Sequence, residues 1–167
     1  ALRRRMLRMS KTVDLWFDVG SPTAYLAWKH LPVIAARHGA VIDARPMLLG
    51  AVHKATGNSP PFLVPAKGAF MVQDLERFAR RYGIAITFNP HFPINTLRLM
   101  RGAAAAHMDG AEALARYAGH IFDGMWNKAL NLATRRFWPA GSARAAMTLR
   151  GSMRSRPMRP SRRISRR

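Results

Sequence analysis

The sequence predicts an α/β fold that opens with a parallel strand–helix–strand unit and continues as a cluster of helices. Three observations carry this. Residues 13–19 (VDLWFDV) are branched or aromatic at nearly every position and read as a buried strand. Gly20 then frees the backbone, and Ser21-Pro22 starts a helix, with Ser21 as N-cap and Pro22 at the first helical position. Residues 40–45 (AVIDAR) read as a second strand. Two strands joined through one helix pair in parallel, with a right-handed crossover. Ligands of such sheets sit beyond the carboxyl ends of the strands, which directs attention to Gly20 and Ser21. There the Ser21 hydroxyl and the first free backbone N–H groups of the helix converge, and the helix dipole favours an anion: a thiolate, carboxylate or phosphate. An ordinary capped helix explains the same residues equally well.

The elements follow in order. The helix over residues 22–38 is apolar at Tyr25, Leu26, Leu31, Ile34 and Ala35 and ends before Gly39; Pro32 should kink it by removing a backbone donor. Residues 47–67 hold Gly50, Gly57, Asn58, Pro60, Pro61 and Pro65, a long loop preceded by a helical turn or two over 48–55. The spacing of Phe70, Met71, Leu75, Phe78 and Ala79 predicts a helix over 68–82, closed by Gly83. Residues 84–88 are a short extended piece leading into NPHFP, where two prolines forbid a central strand. A helix follows through His107, capped by Asn95 or Thr96, and a third spans 111–130 with Leu114, Tyr117, Ala118, Ile121, Phe122 and Met125 on one side. Three successive helices after such a start mean a helical insertion rather than continued alternation.

The 167 residues suit one domain with an insertion, and a hydrophobic share of 49% can supply its core. No apolar run reaches the roughly 18 residues of a membrane span. The basic start, ALRRRMLRMSK, lacks the apolar centre of a secretory signal; Met9 reads as a natural start, and the cytoplasm is the expected location. Cysteine is absent, which excludes disulfides, cysteine-thiolate metal sites and CxxC redox chemistry, and the histidines at 30, 38, 53, 91, 107 and 120 show no metal-ligand spacing. A formal charge of +20 invites a nucleic-acid or membrane-surface reading, as a polybasic module. Its distribution argues otherwise. Residues 9–132 carry 13 Lys and Arg against all eight acidic residues, so the excess belongs to the two ends. Residues 133–167 contain no acidic residue, little apolar periodicity and much Arg, Ser and Pro, and read as a basic, disordered tail. The stretch also resembles a GC-rich coding strand read in the wrong frame.

Four blocks, FDVGSPTAYLAW, PMLLGAVHKATGNSPP, PAKGAFMVQDLERFARRYGI and NPHFPINTLRLMRGA, resemble the 2-hydroxychromene-2-carboxylate isomerases in order and spacing, from about residue 12 to 132. That family is related to the kappa-class glutathione transferases within the DsbA-like branch of the thioredoxin superfamily. The resemblance implies a thioredoxin-like βαβ unit with an inserted helical domain. The divisions expected are a basic extension at 1–11, the βαβ part at 12–46, the loop and helical insertion at 47–132, and the tail at 133–167. It also implies glutathione as cofactor, with Ser21 hydrogen-bonding its sulfur as thiolate where redox relatives carry Cys. Asn58 of Gly57-Asn58-Ser59-Pro60-Pro61 would contact glutathione's backbone, and Lys67 of Pro65-Ala66-Lys67-Gly68 would pair with one of its carboxylates. Without the resemblance, Asn58 is a turn residue and Lys67 a solvated charge.

The implied reaction converts 2-hydroxychromene-2-carboxylate to trans-o-hydroxybenzylidenepyruvate, in aromatic catabolism. The partner would be a small aromatic carboxylate, with no metal, specific nucleic acid or membrane, and a homodimer is left open. Glutathione transfer to an electrophile, as in the kappa class, is the alternative. Asp18 reads as structural and Trp126 as core. Arg98 and Arg101, one helical turn apart, could meet the substrate carboxylate, though a solvated helix face explains them as well. The family's later loop with a Val-Pro pair, its hairpin and its final helix have no match after Leu132. The C-terminal half of the thioredoxin fold is therefore expected to be missing, which leaves one edge of the first strand and an apolar sheet face open and impairs activity.

Overall fold

Alternating side chains on two short strands, and capped helices between and after them, build the molecule. A computed structural model of the chain describes residues 11–134. The expectations for the two ends, apart from residues 11, 133 and 134, lie outside the described residues. Strand β1 (Lys11–Phe17), helix α1 (Pro22–Arg37) and strand β2 (Ala40–Pro46) form the expected unit. The strands pair in parallel, with Val13 opposite Ile42, Leu15 opposite Ala44 and Phe17 opposite Pro46. Helices α2 (Leu49–Thr56), α3 (Pro65–Tyr82), α4 (Leu97–Met108) and α5 (Ala111–Trp126) follow, with one short 3₁₀ turn at Pro61–Leu63.

Local chemistry explains most boundaries. Pro22 occupies the first turn of α1, and Pro32 lies inside that helix, which nonetheless runs unbroken to Arg37. Gly57 and Gly83, at φ 67° and 65°, end α2 and α3 in the left-handed conformation that glycine adopts without strain. α3 starts three residues before the predicted position because Pro65, whose missing N–H costs nothing in a first turn, takes its N-terminus. α5 stops at Trp126 rather than at 130. The Asn89 side-chain amide donates to both Met125 O and Leu130 O, at 3.0 Å each, and so closes the helix end and the returning chain together. Leu130 and Leu132 then fold back against Gly124.

The strand at 13–19 is not buried throughout, as its composition predicts. Only Phe17 of β1 is buried, and Trp16 is 55% exposed. Leu15 and Phe17 face α1, where the rings of Phe17, Trp28 and Phe122 lie 5.0–5.7 Å apart. The opposite face carries Trp16 and Val41, both more than half exposed, with the Arg45 guanidinium over the Trp16 ring. Among the described residues nothing covers that face, because all the helices that pack on the sheet share the other side.

One core runs through the whole described chain. It joins Phe17, Val19 and Tyr25 of the first unit to Leu99, Leu114, Ile121, Phe122 and Trp126 of the helices. Trp126 is fully buried and its indole N–H donates to Val19 O at 2.8 Å, so it is a core residue that also holds the end of β1.

Tyr117 on α5 sends its hydroxyl to Leu99 O at 3.0 Å, over the space that Gly102 leaves on α4. Burial pushes its phenol up from 10.0 to about 12. A folded-state value above the unfolded one means that the group stabilises the fold fully below about pH 10. That contribution is lost as the pH rises through about 12. Chemical denaturation across alkaline pH should therefore show a fall in stability above about pH 10 that Tyr117→Phe makes shallower. An equal fall in both proteins would remove Tyr117 as its source.

Candidate functional site

β1 ends one residue before Asp18, and the site is built from what that residue holds. Its carboxylate is 2% exposed. Oδ1 accepts from Gly20 N at 2.8 Å, while Oδ2 accepts from Leu49 N at 2.9 Å and from Thr96 Oγ1 at 3.0 Å. One side chain thus joins the β1–α1 turn to the starts of α2 and α4. Both expected caps of α4 are used: Thr96 holds the N-cap position with its hydroxyl spent on Asp18, and Asn95 Oδ1 accepts from Leu97 N at 3.0 Å. Gly20 is required here because a Cβ would stand 2.7 Å from the Thr96 methyl carbon.

The next residue is Ser21, in extended backbone conformation at the N-cap of α1. Its own N–H is held by Asp18 O at 3.0 Å. Its hydroxyl accepts from Ala24 N at 3.2 Å and shares a hydrogen bond with Thr23 Oγ1 at 2.9 Å. A serine hydroxyl has one proton and two acceptor positions. Ala24 N–H occupies one acceptor position; in the arrangement where the Thr23 hydroxyl donates to the other, the Ser21 proton is free to point outward at an anion. Thr23 is thus the side-chain partner of the Ser21 hydroxyl.

Ser21 and Thr23 open onto a cleft of about 580 Å³, lined also by Leu49 and His53 of α2, by Pro60–Phe62, and by Phe92–Asn95. That volume lies within the usual range for small-molecule sites. The walls are mostly apolar, and the polar groups gather at the α1 end. Of the side chains weighed in the sequence as site residues (Ser21, Asn58, Lys67, Arg98 and Arg101), Ser21 lines this cleft, as does Asp18, read as structural. Asn58 is exposed, and its Oδ1 accepts from Ser59 N at 2.8 Å. Lys67 is exposed in the first turn of α3. Arg98 and Arg101 lie on α4, both exposed, and neither lines the cleft. Sequence reasoning missed Thr23, His53 and Thr96. The S-x-T spacing across a helix start could have indicated Thr23, whereas the partners of Thr96 and His53 come from distant segments. Among the described residues no cluster of His, Asp or Glu could hold a metal ion, and no helix is long and apolar enough to cross a membrane.

The expected role of Thr23 can be measured. Thr23→Val keeps the shape but removes the hydroxyl partner of Ser21, and should weaken anion capture at Ser21 by roughly three- to tenfold, the equivalent of one modest hydrogen bond. Titration of the chain with glutathione, followed by thiolate absorbance, reads this. Equal binding by the variant would show that Ser21 needs no such partner.

Comparison with known proteins places this geometry. A family model described as a DSBA-like thioredoxin domain matches residues 12–142, extending past residue 132, where the sequence resemblance ends. A 2-hydroxychromene-2-carboxylate isomerase of Sphingobium xenophagum is 38% identical over 115 residues, which cover 67% of this chain and 58% of that protein. Glutathione S-transferase kappa 1 of Caenorhabditis elegans is 30% identical over 122 residues, covering 70% of this chain and 54% of the relative. The human protein of that name is 26% identical over 145 residues, covering 84% and 64%. The solved structure of a 2-hydroxychromene-2-carboxylate isomerase superposes with a TM-score of 0.65 at 29% identity, covering 81% of this chain and 66% of that one. The chain spans between about half and two thirds of the length of these curated relatives. With a parallel βαβ unit, helices after it and Ser21 at the first helix start, the chain belongs to the DSBA-like thioredoxin domain family.

Proposed function

We propose that the cleft beside Ser21 binds glutathione and supports the isomerisation of 2-hydroxychromene-2-carboxylate to trans-o-hydroxybenzylidenepyruvate. The observation that carries this reading is the Ser21 hydroxyl at the N-terminus of α1, lining the cleft and accepting from Ala24 N–H, in a chain without cysteine. Relatives named for the isomerase and for the kappa glutathione transferases support it.

The residues present fit a thiol cofactor. A hydroxyl donor and the positive end of a helix dipole stabilise a thiolate, and the Ser21 oxygen cannot form a disulfide with it. Glutathione held there would supply a nucleophilic thiolate for reversible addition to a conjugated carbon, chemistry with no net redox change. The chain's own part is to hold and orient. Ser21 would donate to the sulfur with Thr23 donating to Ser21 Oγ behind it, and Asp18 keeps the turn, α2 and α4 in register. The apolar walls at Phe62, Phe92 and Ile94 exclude water from the face of an aromatic substrate. Asn58 and Lys67 remain proposed contacts for the peptide part of glutathione. Asn58 would use its side-chain N–H groups, since its oxygen is engaged by Ser59 N–H.

A second reading, transfer of glutathione to an electrophile, is favoured by the relatives named glutathione S-transferase kappa 1. One assay separates the two. The purified chain is mixed with glutathione and 2-hydroxychromene-2-carboxylate, and both the open-chain product and any glutathione conjugate are quantified. Isomerisation predicts product without accumulating conjugate. Accumulating conjugate favours transfer, and turnover that does not depend on glutathione overturns both.

A further inference from the structure

The isomerase reading requires the cleft to receive a carboxylate, and an anion entering apolar walls needs a positive or proton-donating partner. The described residues narrow the choice. Only Asp18 and His53 are ionisable among the side chains that line the cleft. Asp18 is buried, negative and occupied by three donors. The Lys67, Arg98 and Arg101 side chains do not line the cleft.

His53 remains. It lies on α2 one helical turn beyond Leu49, whose N–H is fixed on Asp18, so its position is tied to the same anchor that sets Ser21. Its backbone carbonyl accepts from Asn58 N at 3.0 Å, which closes the helix behind it. Its side chain is half-buried in the cleft wall and has no hydrogen-bond partner among the described residues. Across the cleft, Pro60, Pro61, Phe62, Phe92, Pro93 and Ile94 present no charge. Lys54, next to it on α2, is exposed.

We propose that His53 is the specificity-determining residue for the anionic end of the ligand: its imidazolium pairs with the carboxylate of a flat aromatic acid whose ring lies against the apolar wall. The substrate class rests on the isomerase reading above; the assignment of His53 rests on the cleft itself. Because histidine changes charge between about pH 5 and 8, capture weakens as the imidazole loses its proton. A lysine or arginine in that place would hold the anion across the same range.

The test is binding, with trans-cinnamate as the anionic probe and cinnamamide as its neutral twin, by calorimetry on the 167-residue chain at about pH 5.5 and 8.5. Cinnamate affinity should fall roughly tenfold between the two, while cinnamamide affinity stays level. His53→Gln should flatten the cinnamate dependence, and His53→Lys should keep tight binding at the higher pH. A fall that persists unchanged in His53→Gln, a wild-type chain with no fall, or no binding of cinnamate overturns the proposal. Glutathione thiolate absorbance, read in parallel, separates the two readings. Its absence beside a His53-dependent fall counts against glutathione alone, and its presence beside an unchanged fall in His53→Gln counts against His53 alone.

Discussion

Asp18→Ala should bring the described fold close to unfolding. The carboxylate holds Gly20 N–H, Leu49 N–H and the Thr96 hydroxyl, and the residue is 2% exposed. Alanine leaves all three donors without their acceptor, and each buried unsatisfied donor costs about 1–3 kcal/mol. Part of this is offset, because the native state no longer carries a buried charge. Breaking a comparable buried network costs about 3–5 kcal/mol, against a total domain stability of about 5–15 kcal/mol. The urea midpoint should drop accordingly, and the α1 start should lose its register with α2 and α4. Asp18→Asn should fall between the two. Its amide oxygen can still accept, but its N–H₂ meets donors where an acceptor is needed. A midpoint for Asp18→Ala equal to that of the wild type would show that the three donors find other partners, and Asp18 would no longer be the anchor of the site.

That anchor also marks where the sequence stops being informative. The β1–Gly20–Ser21-Pro22 start, the parallel return strand and the glycine helix ends are local chemistry, and each stands within one or two residues of its expected place. The Asp18 network joins positions 31 and 78 residues away, so nothing near Asp18 could announce its partners. The end of α5 depends in the same way on Asn89, more than 30 residues earlier. An unbroken apolar run such as VDLWFDV reads as buried on both faces, yet burial belongs to neighbours rather than to the strand. With helices on one side only among the described residues, Trp16 stays exposed. Composition and resemblance place a division at residues 46 and 47; one core joins residues on both sides of it. Within the site, Ser21 was legible because cap chemistry and family resemblance agree on it. Asn58 and Lys67 rest on the resemblance alone, and His53 carries no signal in the sequence, because a histidine without metal-ligand spacing gains meaning only when a cleft forms around it.

Ser21→Ala should abolish most of the thiolate capture at the start of α1. The substitution removes the only side-chain hydroxyl at the N-cap and, with it, a charge-assisted hydrogen bond to the sulfur, a bond worth about 1.5–3 kcal/mol. If that bond is fully expressed in the transition state, turnover falls roughly ten- to a hundredfold. Bound glutathione should retain its proton to higher pH, and its thiolate absorbance at neutral pH should shrink in proportion. The variant also loses the Ala24 N–H cap, a cost of about 1 kcal/mol to the helix, so a stability control is needed. Ser21→Thr supplies it by keeping both a hydroxyl and a capping oxygen. The expected order of thiolate absorbance is wild type, then Ser21→Thr, then Ser21→Ala, while Ser21→Ala alone loses about 1 kcal/mol of stability. Cysteine at the same position would change the chemistry rather than weaken it, since a thiol can form a mixed disulfide with glutathione where the hydroxyl cannot. Thiolate absorbance in Ser21→Ala equal to that of the wild type would leave the helix dipole as sufficient by itself. The hydroxyl, with Thr23 behind it, would then be a cap and nothing more.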